Sequence, residues 1–145
     1  MKFKIITIAV VAFALTAFTP FSAVEKDVIG AWKMDARSVD KMVKAAIAKA
    51  VEANPAIEDQ IEENKGAIVG MIESIRINIK ADHTFETVSP QNSSTGKWAL
   101  ANKNQVIDFT RADGTVRRDT ILQSSPTVLK TINGLLKDTL TYIHP

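Results

Sequence analysis

The chain has 145 residues, no cysteine and a formal net charge of +2. Without cysteine it has no disulfide to staple a small fold and no lipidated cysteine to hold it at a membrane, so its stability must come from a packed core. Its charge excess belongs to the first few residues, and no basic field marks it as a nucleic-acid binder.

The N-terminus reads as an export signal. Lys2 and Lys4 give a basic start, Ile5 to Phe18 is apolar apart from Thr7 and Thr16, and Pro20 breaks any continuing helix. Ser22-Ala23 supplies small residues at a cleavage point, although Phe21 is bulkier than the residue usual at that place. The rival reading is an uncleaved anchor, for which the run falls short of the roughly 20 residues of a membrane span. Residues 1–23 are therefore assigned to a signal peptide and 24–145 to one secreted or periplasmic domain. The signal holds two lysines and no acid, which leaves that domain with no formal net charge and a size able to bury a core.

Val28 to Met34 reads as the first strand, carrying Gly30-Ala31-Trp32. With Ser38 as N-cap, Val39, Met42, Val43, Ala46, Ile47, Ala50 and Val51 recur at the helical period and give one apolar stripe. Asn54-Pro55 ends that helix and starts a second, with asparagine as cap and proline at the first position. Ile57, Ile61, Ile68, Met71 and Ile72 line one side of the second helix; Gly66 and Gly70 are its weak points, each costing about 1 kcal/mol relative to alanine.

From Ile75 the period becomes two. Strands are predicted at Ile75 to Lys80, Thr84 to Val88, Lys97 to Leu100, Val106 to Thr110, Val116 to Gln123, Thr127 to Ile132 and Leu135 to Ile143. Asp113-Gly114 and Asn133-Gly134 are hairpin signals. Regular short strands of this kind form a meander, and closing eight of them removes both sheet edges. The expected fold is mainly β: an antiparallel, up-and-down, eight-stranded β-barrel with a two-helix insertion over residues 38–73 after strand one. Such a barrel is just wide enough to be filled by side chains or to hold one small ligand.

Gly30-Ala31-Trp32 on the first strand of a meander resembles the lipocalin signature, and Gly96-Lys97-Trp98 resembles a second copy in mid-chain. The helix pair after strand one resembles the lid of the fatty-acid-binding proteins. The chain thus resembles small exported lipocalin-like domains of the calycin group over nearly all of residues 27–145. Fatty-acid-binding proteins hold a carboxylate with Arg-x-Tyr on the last strand; here the sequence is Leu140-Thr141-Tyr142, so that arginine is missing.

No acid–base–nucleophile constellation appears, and neither His83 nor His144 has a partner at metal-ligand spacing, so no catalytic residue, metal or cofactor is expected. The leading reading is non-catalytic binding of a small hydrophobic or amphipathic molecule in the barrel. Its lining would be Ile77, Phe85, Trp98, Phe109, Leu122, Leu140 and Tyr142. Trp32 is expected to plug the closed end. On the strand from Val116, the alternating set Val116, Arg118, Thr120 and Leu122 is the more apolar, which points Arg118 inward. There it would bind an acidic head group or pair with Asp138; the alternative is a solvated surface charge. The competing function is an interaction protein with a filled barrel, whose helix pair binds a protein partner or homodimerises.

Overall fold

The computed structural model describes residues 22–145. Most of the expected export signal lies outside the described residues. Eight strands, each antiparallel to the next, form a closed barrel: β1 (Gly30–Met34), β2 (Arg76–Ile79), β3 (Thr84–Val88), β4 (Ser93–Ala101), β5 (Val106–Arg111), β6 (Val116–Ser124), β7 (Val128–Ile132) and β8 (Thr139–Ile143). β8 returns to β1 through Lys33↔Ile143 and Met34↔Tyr142. The predicted barrel is therefore the observed one. Its core is the inward half of each alternating strand, with Trp32, Trp98, Ile107 and Leu140 all but fully buried.

One end of the barrel, the base, is closed by a helix absent from the sequence reading. α1 (Ala23–Val28) occupies part of what was predicted as the first strand. Its start is a capping box: the Ser22 hydroxyl accepts from the Glu25 amide, and the Glu25 carboxylate accepts from the Ser22 amide. Val28 is completely buried, and its carbonyl accepts a 2.9 Å hydrogen bond from the Trp32 indole. Trp32 thus stoppers the base, satisfying its one polar atom while burying its ring. His144 stacks on Trp32 at 4.4 Å, and its two ring nitrogens lie against the carbonyl oxygens of Ala31 and Pro126. Trp98 belongs to the same end; its indole donates to the Lys80 carbonyl and its ring lies 4.9 Å from that of His83.

The opposite end, the mouth, carries the helical excursion. The cap of α2 (Ala36–Ala53) lies three residues before the expected one: it is Asp35, whose carboxylate accepts the amide of Ser38. Ser38 is buried instead, and its hydroxyl accepts a 2.7 Å bond from the Thr141 amide of β8. Asn54 and Pro55 act as predicted, but they open a 3₁₀ turn (Pro55–Ile57) followed by two helices, α3 (Glu58–Glu63) and α4 (Lys65–Glu73). The break falls at Asn64, and both glycines of α4 remain helical.

The two Gly-containing turns also differ from simple hairpins. Between β5 and β6 the Arg111 amide donates to the Thr115 carbonyl, and inside that pair a three-residue loop, 112–114, turns the chain with Gly114 at φ 83°. Asn133-Gly134 opens a longer loop, so β8 starts at Thr139 rather than Leu135. Asn133 Oδ1 accepts the amides of Leu135 and Leu136. Gly134 is there for closeness: a Cβ would lie 2.1 Å from the Arg118 carbonyl oxygen.

Gly134→Ala is expected to destabilise the fold by about 1–3 kcal/mol, because the obstructing atom is backbone. Gly66→Ala, where a Cβ meets open space on α4, is expected to stabilise it by about 0.5–1 kcal/mol. Urea unfolding of the two variants beside the parent checks both signs. Ser38→Ala leaves a half-buried Thr141 amide without its partner and should cost about 1 kcal/mol in the same assay.

Candidate functional site: a cavity at the barrel mouth

Strand β6 decides the character of the barrel interior. Its inward residues are Arg117, Asp119 and Ile121; its outward ones include Val116, Arg118 and Leu122, each at least half exposed. The expected inward face of β6 is therefore the outer one. The length of the preceding loop accounts for the inversion. The three-residue loop with Gly114 places Arg117 opposite Phe109 and Arg118 opposite Asp108, whereas a two-residue Asp-Gly turn would shift the pairing by one and exchange the faces. A register shift between Ile121 and Gln123 then leaves Leu122 as an extra residue facing solvent.

Arg118 accordingly has no role inside. It grips Asp108 on the outer wall with two hydrogen bonds, Nε to Oδ1 at 2.8 Å and Nη2 to Oδ2 at 2.7 Å, and this grip holds the Asp108 carboxyl below the usual carboxylate range. The expected pairing of Arg118 with Asp138 is replaced as well: Asp138 accepts from Lys41 of α2 at 2.8 Å. Ile77, Phe85, Trp98, Phe109, Leu140 and Tyr142 are all buried and inward. They do not share one chamber. Trp98 serves the base, and the Phe85 and Phe109 rings pack edge to face at 5.1 Å in the middle. Ile77, Leu140 and Tyr142 reach the mouth.

The middle of the barrel is nearly full. Trp32, Ile79, Ile107, Phe109, Leu129, Thr131 and their neighbours leave a void of about 10 Å³, close to the smallest space that admits one water. A larger cavity, about 230 Å³, lies where the mouth meets the helices. Met34 at the end of β1, Met42 of α2, Ile75, Leu136 and Leu140 supply its apolar wall, and Arg111, Arg117, Asn133 and Tyr142 supply its polar groups.

Arg117 and Asp119 form the electrostatic centre below that cavity. Asp119 is 1% exposed; one carboxylate oxygen accepts the Gly134 amide at 2.9 Å, and the other lies 3.1 Å from Arg117 Nε. That contact lacks hydrogen-bond alignment, and Arg117 Nε is left without a hydrogen-bond partner. The guanidinium carbon sits 4.6 Å above the Phe109 ring, a cation–π contact. Burial pushes the Asp119 carboxyl above its ordinary range, with the Arg117 charge and the Gly134 amide working against it. Burial also raises the Tyr142 hydroxyl. Thr131 Oγ1, beside the central void, is a second buried polar atom without a partner.

Arg117, Asp119, Arg111, Asn133 and the two methionines were not among the predicted site residues. The signal that finds Arg117 and Asp119 is the cross-strand rule: residues directly opposite share a face, so an inward Phe109 requires an inward Arg117 once the loop length is fixed. Nothing in strand alternation could have brought in Met42, which comes from the helix. Among the described residues no cluster of three His, Cys, Asp or Glu could hold a metal ion.

No protein-family model matches this sequence, and no curated protein resembles it at a significant level. Among solved structures, the chain is similar to a DUF4847 family protein from Bacteroides vulgatus, with 16% identity and a TM-score of 0.53. The match covers 86% of this chain and 98% of that one. At this identity the likeness is one of fold alone, which in this chain is an eight-stranded antiparallel barrel with helices between its first two strands.

Proposed function

We propose that this chain is an exported, lipocalin-like binding protein that holds a small hydrophobic or amphipathic molecule, without transforming it, at the barrel mouth. The observation that carries the reading is the 230 Å³ cavity between α2 and the strand ends, apolar on its walls and polar at its floor. Concave, mostly apolar sites with a few converging polar groups are where small molecules bind, and this one suits a ligand below drug size. A void of only about 10 Å³ in the middle of the barrel favours a ligand held at the mouth over one held along the inward faces of the strands. Two methionines in the wall suit an irregular occupant, since an unbranched thioether adapts its shape.

Met42→Trp places an indole in the cavity from the helix side and leaves the barrel strands untouched. The parent protein should take up octanol at one saturable site, measured by displacement of an environment-sensitive apolar dye. The variant should bind at least about tenfold more weakly, a loss of about 1.4 kcal/mol, with an unchanged circular dichroism spectrum. Absence of saturable uptake by the parent of both octanol and its carboxylate counterpart octanoate overturns the reading.

A second reading has its own support. Between Val43 and Ile72 no residue is buried, so the far half of the helical excursion projects from the barrel as an arm. On this reading the arm binds a protein partner or a second copy. Sedimentation velocity should then show a dimer of the full chain that is lost when residues 50–67 are replaced by a short linker.

A further inference from the structure

The pairing of Arg117 with Asp119 is unusual in three respects. Both side chains come from one strand and point into a small barrel, where taking two charges out of water costs several kcal/mol per ion unless their partners are well aligned. The alignment here is poor, because Arg117 Nε lies 3.1 Å from the carboxylate and yet makes no hydrogen bond. Arg117 also borders both the central void and the mouth cavity, so it forms the floor of the cavity. A planar guanidinium with an idle Nε is matched best by a carboxylate arriving in its own plane, which can take two parallel bonds.

We infer that the occupant of the mouth cavity is an amphiphile with a single carboxylate, seated head-inward on Arg117, and that it displaces Asp119, which takes up a proton as the ligand binds. The inference rests on the cavity-binding reading above. The tail would lie among Met34, Met42, Leu136 and Leu140. The ligand enters as an anion, Arg117 keeps its charge, and one proton passes from solvent to the Asp119 carboxylate; no bond in the ligand changes. Proton uptake follows from the surroundings. The groups facing Asp119 are Arg117 on its own strand, Tyr142 from β8 and the Gly134 amide from the β7–β8 loop, while the Asp108 charge acts on it only through the sheet, from the outer wall of β5. Arg117 is the one cation in contact with Asp119, since Arg111 is exposed at the edge of the cavity, and two ionised carboxylates beside one buried guanidinium repel each other. The Gly134 amide can stay bonded to a protonated carboxyl through its carbonyl oxygen, so the loop need not move.

The test compares octanoate with octanol, which share a tail. Octanoate should bind the parent about tenfold or more tightly than octanol near pH 6, and its affinity should fall by up to tenfold per pH unit as pH rises above the Asp119 carboxyl, while that of octanol stays level. Calorimetry in buffers of different ionisation enthalpy should give uptake of about one proton per octanoate and none per octanol. Arg117→Met should bring octanoate down to the level of octanol. Asp119→Asn should bind octanoate with no pH dependence and no proton uptake; if that variant does not fold, the proton count on the parent decides. Equal binding of octanoate and octanol, or octanoate binding without proton uptake, overturns the inference and leaves the cavity reading standing. Tighter binding of octyl phosphate than of octanoate also overturns it, since the head group would then be a phosphate. Failure of both octanol and octanoate to bind removes the cavity reading itself.

Discussion

The seam between β1 and β8 is the contact on which the architecture depends. Every other strand pairs with its neighbour in sequence, across a connection that holds the two together. β1 and β8 lie at opposite ends of the domain and share only two residue pairs. So short a seam would leave most of both strands as open edge. The first turn of α2 completes it: the Asp35 amide donates to the Thr141 carbonyl, the Ser38 hydroxyl accepts the Thr141 amide, and Lys41 reaches the Thr139 carbonyl and Asp138. At the other end the His144 ring bridges the carbonyls of Ala31 and Pro126. The helix that covers the mouth is therefore also part of the barrel's closure, and it cannot swing away at its root without opening the sheet.

That constraint divides the helical excursion. Its root, from Asp35 to Val43 and again at Ile72, is tied to the barrel, with Ser38, Val39, Val43 and Ile72 buried. Its far part carries no buried residue. The cavity lies against the root, with Met42 in its wall, so its shape is set by the same contacts that close the barrel. Sites framed by rigid elements hold their geometry better than sites framed by loops. The loop from Asn133 to Asp138 is the other wall, and it is held by Asn133 capping its own following amides and by Asp119 accepting the Gly134 amide. Asp119 thus serves the loop and the arginine at once.

Strand number, order and closure were legible in the sequence because alternation, spacing and turn residues all agreed. The inward residues Ile77, Phe85, Trp98, Phe109, Leu140 and Tyr142 followed from the same alternation. β6 defeated it because the rule that apolar residues face inward fails there: Arg117 and Asp119 are inside, while Val116 and Leu122 are outside. Face assignment then rests on loop length, and a single residue in the β5–β6 loop exchanges the faces. α1 was missed for another reason. Ser22 and Glu25 spell a capping box, but Ser22 falls within the expected export signal. A cut after Ala23 would remove the cap, since Ser22 supplies both halves of its side of the box.

The sequential order of the strands has a consequence for how the chain comes into being. A meander can add one hairpin after another as the chain emerges from its N-terminus, each from local contacts. β1 alone must wait, because its second neighbour is the last strand made. Until Thr139–Ile143 arrives, the growing sheet has two bare edges, one on β1 and one on its newest strand. The final handful of residues therefore carries the step that turns an adhesive open sheet into a sealed cylinder, and a chain shortened by those residues would keep seven of its strands and lose its protection against sticking to others.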